Sequence, residues 1–77
     1  MEADLIGARK VSFVNKEGQQ VNGIRIYTAF KEENVDGLCT ADFFLREGID
    51  FPKDIKLNDK INISFNRKGN IEKIYKI

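Results

Sequence analysis

Apolar and polar residues alternate along most of this chain with a period of two, the spacing of a strand that shows one face to a core and the other to water. Over Ala8 to Asn15, Val11 and Phe13 alternate with Lys10 and Ser12, and Val14 extends the run. Lys16-Glu17-Gly18-Gln19 follows as a charged turn containing a Gly. From Gln20 to Phe30, Ile24, Ile26 and Phe30 fall on one face, and Arg25, Tyr27 and Ala29 on the other. Gly23 sits inside that run, where a Gly often marks a bulge or a sharp bend.

A third alternating stretch, Leu38 to Arg46, sets Cys39, Ala41, Phe43 and Leu45 against Thr40, Asp42, Phe44 and Arg46. Each face carries a Phe, so the pattern leaves open which of Phe43 and Phe44 faces the core. The fourth stretch, Lys60 to Asn66, alternates Ile61, Ile63 and Phe65 with polar residues, and Arg67-Lys68-Gly69-Asn70 reads as a hairpin turn. In the fifth, Ile71 to Ile77, Ile71, Ile74 and Ile77 do not share a period of two, so a strand there requires a bulge or a switch of face.

The remaining segments read as connections. Lys31 to Gly37 is an acidic loop ending in the turn signal Asp36-Gly37. Glu47 to Asn58 breaks the alternation. Within it Pro52-Lys53-Asp54-Ile55 predicts a helical turn with Pro in the first position, and Ile49, Phe51, Ile55 and Leu57 are expected to plug one end of the core. Residues 1–7 are expected to be a loose end, which leaves 8–77 as one domain.

Five short strands joined mainly by tight turns predict an all-β fold, a small antiparallel barrel. The strand count and the long segment between the third and fourth strands match an OB-fold-like barrel, with an SH3-like barrel as the structural alternative. At 77 residues the chain buries only about 60% of the surface it exposes when unfolded. A single Cys cannot form a disulfide within the chain, so a second copy covering part of the surface, a homodimer, is expected.

Composition narrows the chemistry. There is no His, the commonest general base and metal ligand, and no phosphate-binding loop, dinucleotide fingerprint or Cys/His cluster. The carboxylates Glu32, Glu33, Asp36, Asp50, Asp54 and Asp59 lack calcium-loop spacing and read as solvated acids. An enzyme, a cofactor and a small-molecule substrate are therefore not expected. No run approaches the ~18 apolar residues of a membrane helix. The acidic start Met1-Glu2-Ala3-Asp4 lacks the basic and apolar parts of a signal peptide. Cys39 is expected to be a buried, reduced core residue, consistent with the cytoplasm.

The formal charge of +1 conceals a segregated distribution. Residues 8–30 carry a net +3 and residues 60–77 a net +4, while residues 1–7 carry −2 and 31–59 carry −4. In an OB-type order the first strand neighbours the fourth, so the two basic segments are expected to share one side. Aromatic residues lie among basic ones: Arg25 with Tyr27, Phe44 with Arg46, and Tyr75 between Lys73 and Lys76. Proteins that hold single strands combine stacking rings with a cationic track for phosphates. The candidate nucleic-acid residues are Arg9, Lys10, Arg25, Tyr27, Phe44, Arg46, Lys60, Lys73, Tyr75 and Lys76.

In length, strand pattern and the outer placement of Arg25, Tyr27, Phe44, Arg46 and Tyr75, the chain resembles the small OB-fold single-stranded DNA-binding proteins of bacteriophages and mobile elements, such as those of filamentous phages. The resemblance covers residues 8–77 in outline. It implies a dimer that coats single-stranded DNA cooperatively and without sequence preference, while the residues themselves leave RNA open as the partner. The other reading these residues leave open is a protein-interaction module, an accessory subunit of a phage or mobile element. In that case Phe44 and its apolar neighbours form the interface and an edge strand extends a partner's sheet.

Overall fold

The computed structural model describes every residue except Asp50 and Lys53. It contains β1 (Glu2–Val14), β2 (Gln20–Phe30), β3 (Cys39–Arg46), β4 (Lys60–Phe65) and β5 (Ile71–Lys76) in one antiparallel sheet of order β3-β2-β1-β4-β5. β1 therefore lies between β2 and β4, the neighbours expected of an OB-type order. The sheet is not closed, since no ladder joins β3 to β5. Among the described residues no helix is long and apolar enough to cross a membrane.

Residues 1–7 do not form a loose end. Glu2, Ala3 and Asp4 pair with Asn62, Ile61 and Lys60, and burying Ala3 and Leu5 holds this segment in β1. The remainder of β1 pairs only with β2, through a bulge between Leu5 and Gly7. Leu5 opposes Thr28 and Gly7 opposes Tyr27, so Ile6 is an extra residue without a partner of its own. A bulge of this kind inverts the alternation that follows it. Leu5 and Ala8 consequently share the inner face with Thr28 and Ile26, while Gly7, Arg9, Val11 and Phe13 face outward. The expectation that Val11 and Phe13 line the core is thus corrected: Phe13 is 47% exposed.

The core is built from Leu5, Ile26, Leu45, Ile61, Ile63, Ile71 and Ile74, with Ile24, Phe43, Ile49, Phe51 and Ile55 packed against it. Phe43, not Phe44, faces inward, and its ring lies 5.7 Å from that of Phe65. This contact brings β3 toward β4 where hydrogen bonds do not close the barrel. Leu57, expected to help plug one end of the core, is exposed. Thr28 is fully buried, and its hydroxyl donates to the Ala41 carbonyl at 2.9 Å, which meets the need of a polar group in the interior. The irregular spacing of β5 is resolved by a bulge: Ser64 opposes Lys73 and Phe65 opposes Ile71, so Glu72 is extra and both Ile71 and Ile74 reach the core. The helical turn expected at Pro52–Ile55 includes Lys53 and so falls partly outside the described residues; the Ile55 N–H donates to the Pro52 carbonyl at 3.3 Å.

Both hairpins turn on the same five-residue chemistry, Asn15-Lys16-Glu17-Gly18-Gln19 and Asn66-Arg67-Lys68-Gly69-Asn70. In each the Asn carboxamide oxygen accepts two backbone N–H groups, from Glu17 and Gln19 in the first and from Lys68 and Asn70 in the second. Gly18 and Gly69 take φ values of 79° and 82°, the left-handed position that ends a three-residue hairpin loop and that a side chain would strain.

The bulge in β1 is clamped from the side of β4. The Leu5 N–H donates to the Asp59 carbonyl at 2.9 Å, and the Asn58 N–H donates to the Leu5 carbonyl at 2.6 Å. Asp59 organises this clamp. The Lys56 N–H donating to its carboxylate at 2.9 Å holds the carboxyl below its ordinary value near 3.8, and the Lys76 ammonium at 3.6 Å acts in the same direction, against the opposing effect of partial burial. A lowered folded-state value contributes stability that is complete above the unfolded value and is lost as pH falls through the folded one. Asp59→Asn is therefore expected to be less stable than the parent at neutral pH, with the difference shrinking below about pH 4. Urea unfolding at a series of pH values measures this, and a difference that stays constant down to pH ~2 would refute it.

Candidate nucleic-acid interface

The outer face of β1, β2 and β3 follows from the pairing register. Tyr27 stands opposite Gly7 on one side and Asp42 on the other; Arg25 stands between Arg9 and Phe44; Gly23 stands between Val11 and Arg46. Five of the expected residues, Arg9, Arg25, Tyr27, Phe44 and Arg46, thus occupy one surface. Phe13 joins them, a residue the alternation had assigned to the core.

Gly23 is the gap on which this surface is built. It is not a bulge in β2, whose register runs unbroken from Gln20 to Phe30. Instead the Phe44 ring lies over it. A Cβ there would meet Phe44 Cζ at 2.6 Å and Cε1 at 2.8 Å, and would clash with the Leu45 carbonyl oxygen. With no side chain at position 23, Phe44 from β3 and Phe13 from β1 meet across β2, ring centroids 6.4 Å apart and planes tilted by 53°. The Arg25 guanidinium lies over the Phe44 ring at 5.8 Å, within cation–π range. Arg25 also donates to Asp42 Oδ2 at 2.6 Å. Phe44 is thus a half-buried support with Phe13 and Arg25 against it, and Phe13 is the more exposed ring. Tyr27 leans over Gly7, where an added Cβ would lie 3.3 Å from its ring.

The other expected residues are elsewhere. Lys10 pairs with Ile24 and so lies on the opposite face, at the rim of an apolar cleft of about 340 Å³ lined by Ile24, Leu45, Ile49 and Phe51. Lys60 stands across from Asp4, and Lys73 and Tyr75 are exposed on β5, beyond β1 and β4 in the sheet order. Lys76 is engaged with Asp59. The two basic segments do not merge as expected, because β1 reaches β4 through Glu2, Ala3 and Asp4, its acidic end. The positive charge of the outer face comes instead from three arginines within β1, β2 and β3.

Cys39 is not a core residue. It is partly exposed at the start of β3, and its thiol donates to Glu32 Oε2 at 3.2 Å. That hydrogen bond, with desolvation and the nearby carboxylate charge, pushes the thiol pKa above 9.0, which keeps it protonated and unsuited to nucleophilic attack. Among the described residues no group of three or more His, Cys, Asp or Glu is placed to hold a metal ion. No family model, curated protein or solved structure matches this chain.

Adding a methyl group at Gly23 must displace Phe44 or separate β2 from β3. Gly23→Ala is expected to cost about 1–3 kcal/mol, the usual penalty for overpacking, in urea unfolding. Gly23→Ala in a Phe44→Ala background is expected to recover part of that loss, because the ring is then absent. An unchanged midpoint in the single variant would contradict this placement of Phe44.

Proposed function

We propose that this chain binds single-stranded nucleic acid, DNA in the first instance, on the outer face of β1, β2 and β3. The observation that carries the reading is the Phe13–Phe44–Arg25 cluster, flanked by Tyr27 and by Arg9 and Arg46 on one exposed surface. Stacking needs only the flat face of a base, so such a surface accepts strands of varied sequence. Phe13 and Tyr27 offer rings and Arg9 and Arg46 meet phosphates. Phe44 holds Phe13 and Arg25 in position. Lys60, Lys73 and Tyr75 lie further around the sheet and extend the track only for a longer strand.

A homodimer belongs to the same proposal, since a core this small leaves Ile6, Val14, Leu38 and Leu57 exposed. A cytoplasmic setting goes with it, Cys39 being unpaired. The unpaired edge of β3 favours a second reading, addition of a partner's strand to this sheet. That reading requires no affinity for oligonucleotides, so one titration separates the two.

The test is fluorescence anisotropy of a labelled oligothymidine at several salt concentrations. With Arg25 held by Asp42, two arginine–phosphate contacts, from Arg9 and Arg46, predict a log–log slope of roughly −1.4, at about −0.7 for each contact on a single strand. Phe13→Ala is expected to weaken binding by about 1–3 kcal/mol without loss of folding. No change in anisotropy at low salt would refute the proposal.

A further inference from the structure

A surface made only to hold a phosphate chain gains nothing from a carboxylate at its centre. Yet across Gly7–Phe13, Val21–Tyr27 and Asp42–Arg46 the outward positions carry three arginines and one acid, Asp42. Asp42 stands directly across from Tyr27, within the ~5 Å Cβ separation of a cross-strand pair, and two residues from Phe44 on the same face. It is half exposed and held by Arg25, whose Nη1 donates to Oδ2 at 2.6 Å. Among the described residues no hydrogen bond reaches Oδ1. A carboxylate offers about four acceptor sites, so Arg25 fixes its direction and leaves most of its capacity facing solvent. Arg25 is itself steadied by the Phe44 ring. The carboxylate is therefore an oriented acceptor beside a stacking ring.

The edges of the bases differ in what they present to such an acceptor. Guanine carries two adjacent N–H donors, at N1 and N2, which match the two oxygens of one carboxylate. Thymine has a single N–H between two carbonyl oxygens. Adenine and cytosine each set an amino donor next to a ring nitrogen that repels the carboxylate. We infer that Asp42, oriented by Arg25, selects guanine at the position where a base stacks on Tyr27. The inference rests on the single-strand reading proposed above and adds a base preference to it. The simpler role for Asp42 is to offset Arg9 and Arg25, which oppose each other across β1 and β2. That role alone would change affinity for every base alike.

The experiment compares labelled oligothymidine with strands of the same length in which every third base is guanine, adenine or cytosine, at one fixed salt concentration. The parent protein is expected to bind the guanine strand about fivefold more tightly than the others, the lower end for a bidentate contact. Asp42→Asn, confirmed as folded by circular dichroism, is expected to lose that preference while keeping or increasing its affinity for oligothymidine. Equal affinity of the parent for all four strands overturns the inference and leaves single-strand binding intact. So does a guanine preference that survives in Asp42→Asn. Failure to bind any of the strands overturns the inference together with the reading beneath it.

Discussion

Ile6 is one residue more than β1 needs to match β2, and the outer face of the molecule is arranged around that surplus. Before it, β1 turns Ala3 and Leu5 into the core and pairs with β4. After it, the alternation is inverted, so that Arg9 and Phe13 face solvent beside Arg25 and Val21. Without the inversion a straight run of period two would carry position 13 to the same face as Leu5. The bulge is held from one side by Asn58 and Asp59 and from the other by the burial of Ile26 and Thr28. One irregularity thereby lets a single strand serve two hairpins and sets the composition of the exposed surface.

Gly23 does the complementary work on β2. Its missing side chain allows two aromatic rings from strands that are not neighbours to touch, which sets an apolar cluster among Arg9, Arg25 and Arg46 on that face. A ring next to a guanidinium is useful for stacking because both present flat surfaces and the cation draws in phosphate. The arginine-rich face also explains how a chain with a net charge of +1 can be suited to a polyanion. What matters is the charge within about 10 Å, the screening length at moderate salt.

The strands are legible in the alternation of the residues, and so is the inward side of β2, where the period of two runs unbroken from Gln20; in β3 each face carries a Phe, so the alternation leaves the inward side open. The spacing of Ile71 and Ile74 demanded a bulge in β5, and one lies at Glu72. β1 was misread because a bulge leaves no mark when the residues after it are mixed. Ala3 and Leu5 share the parity of Val11 and Phe13, so the alternation alone points Phe13 inward, and only the extra residue Ile6 reverses it. Gly23 is not the bulge that such a residue often marks, since a Gly that makes room for a ring looks in sequence like one that interrupts a ladder. The convergence of the basic segments failed for a related reason. Neighbouring strands need not touch along their whole length, and β1 meets β4 only at its acidic end.

The central claim is that a nucleic-acid strand lies on the outer face of β1, β2 and β3, and backbone amide NMR during titration with an unlabelled oligothymidine tests it most directly. The account predicts that the largest shifts fall on Arg9, Phe13, Arg25, Tyr27 and Phe44, with Ile61, Ile63 and the 31–37 loop little changed. Shifts centred on the apolar cleft beside Lys10, or on Tyr75 and β5 alone, would contradict it.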